Sequence, residues 1–158
     1  MTAVRILGLD PGLARTGWGV IECNGNRLRR LAHGAITTDA TTALAVRLAE
    51  IQRTLARVVA EWLPEEAAVE EVFVNRNPSS TLKLGMARGV ALLVPAMAGV
   101  PVAEYAANLI KKTVVGTGHA DKAQIAMMVS RILSGTSATG DAADALQGSE
   151  EFDAQAIT

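Results

Sequence analysis

Three short stretches of this sequence put carboxylates where carboxylates are costly. Asp10 closes the strand-like stretch Val4–Leu9, apolar from Ile6 onward, and opens Asp10-Pro11-Gly12. A charge at the end of a buried strand is unfavourable unless a cation or hydrogen-bond donors meet it. Gly12 and Gly17 leave room there for a phosphate or a second backbone to approach. Glu70 and Glu71 sit inside Val69-Glu70-Glu71-Val72-Phe73, an otherwise apolar strand. Side chains alternate along a strand, so one glutamate points towards Asp10 and its neighbour points to the other side. Parity alone does not say which, and an edge strand facing water is the competing reading. Asp141 and Asp144, in Gly140-Asp141-Ala142-Ala143-Asp144, lie at i, i+3 and so share one helix face flanked by alanines. Aspartates in a first helical turn also favour the helix dipole, which is the plainer explanation of Asp141.

Taken together these are four carboxylates: one ending a first strand, one on a middle strand, two on a last helix. Hard oxygen donors without cysteines or clustered histidines point to Mg²⁺ or Mn²⁺ rather than zinc. Two such ions, about 3.5–4 Å apart, can activate a water and stabilise the leaving oxygen of a phosphodiester. The charge distribution suits that chemistry. Between residues 72 and 131, Arg76, Lys83, Arg88, Lys111, Lys112, Lys122 and Arg131 face only Glu104 and Asp121, while Glu65, Glu66, Glu70 and Glu71 lie just before. Cations would hold phosphates and carboxylates the metal; composition alone is equally compatible with ordinary surface charge. A net charge of −1 argues against a protein that coats DNA without specificity.

The elements that must position these groups follow from periodicity and turn chemistry. Val4–Asp10, Gly17–Cys23 and Arg30–Thr37 read as strands, the last two joined by the turn-forming Asn24-Gly25-Asn26. Ala43–Leu63 reads as a helix, with Leu44, Leu48, Ile51, Leu55, Val58 and Trp62 on its apolar face and Arg47, Glu50, Arg53, Arg57 and Glu61 as the charged positions; Pro64 stops it. Ala67–Val74 is a fourth strand, Thr81–Met97 a second helix opened by Pro78 and two serines, and Val100–Tyr105 a fifth strand. That second helix is apolar almost all round and carries Gly85 and Gly89, whose cost to helix stability implies close helix–helix or subunit packing. Beyond it, Ala106–Lys112, Asp121–Leu133 and Asp141–Leu146 read as helices. The pattern predicts an α/β domain with a mixed sheet flanked by helices. With 158 residues and 3% aromatics, one domain has an aliphatic core. The single cysteine, Cys23, reads as a buried small hydrophobe and excludes an internal disulfide. No apolar run is long enough to span a bilayer, so a cytoplasmic protein away from the membrane is expected.

The stretches ILGLDPGLARTGWGV, AVEEVF, TLKLGMARGVAL, IKKTVVGTGHADKAQ and DAADAL resemble the RuvC Holliday-junction resolvases in order, spacing and wording, across residues 5–146. The resemblance implies an RNase H-like fold with a five-stranded mixed sheet, and a metal-dependent endonuclease that nicks a four-way DNA junction symmetrically as a homodimer. It implies Asp10, Glu70, Asp141 and Asp144 as the metal-binding catalytic residues, selecting Glu70 over Glu71, and Mg²⁺ as cofactor, with two ions per site. It matches Lys111 and Lys122 to lysines that contact phosphate near the scissile bond, with Lys112 as a rival to Lys111, and it implies RuvA and RuvB as partners. Phe73, beside the basic loop at Arg76, would stack on an unpaired base if exposed; a core phenylalanine is the alternative. Lys83 joins Arg76 and Lys112 as a candidate DNA contact. His33 and His119 are isolated and read as ordinary surface or loop residues.

The first turn, taken alone, also resembles the phosphate-binding turn of the actin and sugar-kinase superfamily, but those proteins need two such domains. A YqgF-like nuclease acting on RNA shares the first strand and turn; the KLGMARGVA and IKKTVVG stretches favour RuvC over it. The match ends at Leu146. Where RuvC proteins continue the last helix with an apolar stretch, residues 147–158 begin Gln147-Gly148-Ser149-Glu150-Glu151 and turn acidic. A nuclease domain over 1–146 with an atypical, poorly ordered tail is expected. A junction-binding protein weakened in catalysis by that tail is the non-enzyme alternative.

Overall fold

The computed structural model describes residues 3–24, 27–71, 77–106 and 151–153. The expected helices between residues 107 and 146 lie outside them. Among the described residues, six strands and two helices run in the order β1 (Val4–Asp10), β2 (Arg15–Asn24), β3 (Arg27–Thr37), α1 (Leu44–Trp62), β4 (Glu66–Glu71), α2 (Pro78–Met97), β5 (Val102–Ala106) and β6 (Glu151–Asp153). They build one mixed sheet in the order β5-β4-β1-β2-β3-β6. β1, β2 and β3 form an antiparallel meander, whereas β4 joins β1 and β5 joins β4 in parallel. Parallel neighbours need crossover connections, and α1 and α2 are the helices in those crossovers. The five-stranded sheet is as expected; β6 is an additional three-residue strand on the edge of β3.

The central strands are buried on both faces. Leu7 and Leu9 of β1, Val20 of β2 and Ala67 and Val69 of β4 point to one face. They pack with Ile51, Leu55, Val58 and Val59 of α1 and with Ala87, Ala91 and Val94 of α2. On the opposite face Ile6, Ile21, Cys23, Leu28 and Ala68 are equally buried. Cys23 is the buried small side chain anticipated.

Local chemistry sets where the helices begin and end. The Asn77 side chain accepts from the N–H groups of Ser79 (3.0 Å) and Ser80 (3.3 Å), and Pro78 takes the first helical position, where its missing N–H is harmless; α2 therefore starts three residues earlier than its apolar periodicity indicates. At the end of α1, Leu63 adopts the left-handed conformation (φ 49°), Pro64 follows, and Arg5 Nη1 donates to the free carbonyl of Trp62 at 2.8 Å.

Arg47 departs from expectation. It is one of the charged positions of α1, a residue type usually found at the surface, yet it is 8% exposed. It stands four residues before Ile51 and eight before Leu55, on the apolar stripe itself. A hydrogen bond from its Nε to Thr38 Oγ1, just past the end of β3, accounts for a guanidinium there.

Candidate metal and nucleic-acid site

The register brings Asp10 and Glu70 side by side. β1 and β4 pair through Ile6–Glu66, Leu7–Ala67, Gly8–Ala68 and Leu9–Val69, so Asp10 and Glu70 are the next residues along two parallel strands, roughly 4.8 Å apart across the sheet. Leu9 and Val69 face the helices; alternation therefore sends Asp10 and Glu70 to the opposite face. Glu70 is 3% exposed, whereas Glu71 is only half-buried and points to the helix side with Val69. The parity left open by the sequence is thereby resolved: Glu70 shares a face with Asp10. On the β2 side the cross-strand partners are glycines, Gly17 opposite Asp10 and Gly19 opposite Gly8, whereas on the β5 side Glu70 pairs with Tyr105.

The chain leaves β1 at Asp10 and returns at Arg15 through a turn in which the carbonyls of Gly12, Leu13 and Ala14 are held. Thr16 Oγ1 donates to Gly12 O at 2.6 Å; Thr38 Oγ1 donates to Leu13 O at 2.5 Å; Thr38 N–H donates to Ala14 O at 3.1 Å. A Cβ on Gly12 would lie 2.4 Å from the Arg15 carbonyl oxygen, so Gly12 serves the close approach of a second backbone. Thr38 accepts in turn from Arg47 Nε at 2.9 Å. Next to it, the backbone N–H and hydroxyl of Thr41 bond the Asp39 carboxylate at 2.8 and 2.7 Å, and these bonds hold its pKa below the usual carboxylate value.

Arg88 of α2 anchors the other carboxylate strand. Its guanidinium donates to the backbone oxygen of Glu70 at 3.5 Å and pairs with Glu104 of β5. Sequence reasoning assigns Arg88 to a basic surface; its partly buried side chain instead ties α2 to β4 and β5. Lys83, one turn and a half nearer the start of α2, is exposed. His33 is also exposed on β3, with its pKa lowered by partial burial and by the neighbouring Arg30, in keeping with an isolated surface histidine. Phe73, Arg76, Lys111, Lys112, Lys122, Asp141 and Asp144 lie outside the described residues.

The roles of Thr16, Thr38 and Arg47 in holding the turn after Asp10 were not read from the sequence. The one signal available was spacing, since Arg47 falls on the Ile51–Leu55 stripe of its helix.

Among the described residues no group of three or more acidic, histidine or cysteine side chains gathers as a metal site. The pair that is described nonetheless suits a hard divalent cation. Two carboxylates, hard oxygen donors, share one face at the ends of adjacent parallel strands. No helix among the described residues is long and apolar enough to cross a membrane.

The family model described as crossover junction endodeoxyribonuclease RuvC matches residues 6–148. A crossover junction endodeoxyribonuclease RuvC of Paramagnetospirillum magneticum is 60% identical over 144 residues, covering 90% of this chain and 87% of its own length. Among solved structures, T. thermophilus RuvC in complex with Holliday junction substrate superposes with a TM-score of 0.68 at 32% identity, over 84% of this chain and 80% of that one. The yeast mitochondrial Holliday junction resolvase Ydc2 shares the fold, with a TM-score of 0.55 at 15% identity over 96% of this chain and 72% of its own.

Proposed function

The chain belongs to the RuvC family, and from that premise we propose that it is a metal-dependent endonuclease that resolves four-way DNA junctions by paired nicks. The observation that carries this reading is the placement of Asp10 and Glu70 on one sheet face at the ends of adjacent parallel strands, with Glu70 buried. Asp10, Glu70, Asp141 and Asp144 would hold Mg²⁺ or Mn²⁺, two ions to a site. Bound there, the metal supplies Lewis-acid stabilisation of the phosphodiester oxygens and a water nucleophile at neutral pH. The protein's own side chains orient the substrate. Lys111 and Lys122 would meet the phosphate near the scissile bond, where negative charge develops, with Lys112 competing for the first of these roles. Arg76 and Lys83 would bind the flanking backbone, and Phe73 would stack on an unpaired base. A labelled synthetic four-way junction, compared with linear duplex of the same sequence with and without Mg²⁺, tests the reading. Cleavage of the junction only, and only with metal, is expected.

The exposed face of α2 supports a homodimer. Leu82, Met86, Leu93 and Met97 form one stripe and are 62, 36, 55 and 79% exposed. Nothing lies within 4 Å of a Cβ built on Gly85 or Gly89, so packing among the described residues does not call for glycine at either position. Leu93 and Met97 also line an apolar groove of about 520 Å³ between α1 and α2. A second copy approaching along this stripe would bury it, with the glycines admitting close helix contact. Leu93→Glu is therefore expected to leave the fold intact and to weaken self-association at least ~10-fold. Light scattering should shift from twice 16.5 kDa towards 16.5 kDa; an unchanged dimer would place the interface elsewhere. RuvA and RuvB are the proposed partners in branch migration, and the cytosol the proposed location.

The tail bears on how active this chain is. The expected helix Asp141–Leu146 is short, and β6 follows at Glu151–Asp153. A helix of six or seven residues is marginal without a packed apolar face. Replacing residues from Gln147 onward with a longer apolar helix should lower the Mg²⁺ midpoint of junction cleavage and raise the maximal rate. Identical titrations of the two proteins would show that the acidic tail holds the ligands adequately.

A further inference from the structure

We propose that Arg47 is a positioning residue for Asp10, acting through Thr38 on the Pro11–Ala14 turn. The inference rests on the metal-dependent reading above and extends it to a side chain on a different layer of the fold.

The chain of contacts is short and continuous. Arg47 Nε donates to Thr38 Oγ1 at 2.9 Å, Thr38 Oγ1 donates to Leu13 O at 2.5 Å, and Thr38 N–H donates to Ala14 O at 3.1 Å. Thr16, fully buried, takes the preceding carbonyl, that of Gly12. Three successive carbonyls of the turn that begins directly after Asp10 are thus fixed by two threonines, and one threonine is fixed by a helix. α1 is itself seated on the sheet through Ile51 and Leu55, each 0% exposed. The turn cannot rotate about the end of β1 without breaking a bond that leads back to the helix layer.

A purely structural role explains Arg47 poorly. It occupies a position on an apolar stripe where leucine or methionine would pack, and a buried ion is commonly replaceable by an apolar side chain with no loss of stability. What an apolar residue cannot do is donate in a fixed plane to the Thr38 hydroxyl and so keep that hydroxyl's own hydrogen aimed at Leu13 O. Fixed geometry matters most one residue before the turn, because a ligand misplaced by about 1 Å costs large factors in rate. Partners behind a metal ligand typically change metal affinity by roughly 10–100-fold when removed.

The test compares Thr38→Val, Thr38→Ser and Arg47→Met with the wild-type chain. Mn²⁺ binding to the free protein is read by electron paramagnetic resonance, alongside the Mg²⁺ midpoint of junction nicking, junction affinity in chelating buffer, and melting temperature. Thr38→Val and Arg47→Met should weaken Mn²⁺ binding and raise the Mg²⁺ midpoint roughly tenfold, with junction affinity unchanged. Thr38→Ser, which keeps the hydroxyl, should behave as wild type, and a variant combining Thr38→Val with Arg47→Met should be no worse than the stronger single one. Wild-type Mn²⁺ affinity and Mg²⁺ midpoint in Thr38→Val, with only the melting temperature lowered, would overturn the proposal. If Arg47→Met does not fold, the Val–Ser contrast at Thr38 still decides. A wild-type chain that nicks no junction would count against the functional reading, while the Mn²⁺ contrast would still decide the positioning role.

Discussion

Asp10→Asn is expected to bind a four-way junction as the wild-type chain does and to nick it roughly 10³-fold more slowly or worse. The substitution keeps the size and shape of the side chain and removes its charge. Asparagine cannot hold a divalent cation as a carboxylate does, whereas the proposed phosphate grip comes from lysines elsewhere in the chain. The two properties therefore separate. A gel shift in chelating buffer should match wild type, and single-turnover nicking in Mg²⁺ should vanish. Nicking at a near wild-type rate would remove Asp10 from the site.

The second large effect distinguishes adjacent residues. Glu70→Gln should lose nicking to the same degree as Asp10→Asn, and Glu71→Gln should stay close to wild type. Neighbours in sequence differ because they occupy opposite faces of β4. Glu70 is 3% exposed on the face of Asp10, and Glu71 is half-buried on the helix side. The same single-turnover assay at saturating enzyme reads both variants. Equal losses at the two positions would mean that charge on β4 matters and its face does not.

Much of this architecture could be read from the residues. Val4–Asp10 has the same bounds as β1, and α1 lies within one residue of its expected ends at both termini, because a long amphipathic repeat closed by Pro64 leaves little choice. β2 and β3 extend further than turn chemistry indicated, since pairing to a neighbour prolongs a strand past its apolar core. The choice between Glu70 and Glu71 was not legible from local pattern. Parity permits either face, and the register of β4 against β1 is a long-range property of the sheet. The burial of Arg47 was not legible for a related reason. Spacing puts it on the apolar stripe, but the hydroxyl that makes burial acceptable comes from Thr38, nine residues away in a different segment. Arg88 looked like part of a basic surface until β5 placed Glu104 beside it.

The central claim, that this chain resolves junctions by paired incision, is tested most directly by mapping its cuts. Each of the four strands of a synthetic junction is labelled in turn, and products formed in Mg²⁺ are run on a denaturing gel and then offered to DNA ligase. Two opposing strands nicked at symmetry-related positions, giving duplexes that ligase reseals, is the expected result. Cuts scattered over all four strands, equal cutting of linear duplex, or ends that ligase cannot join would contradict it.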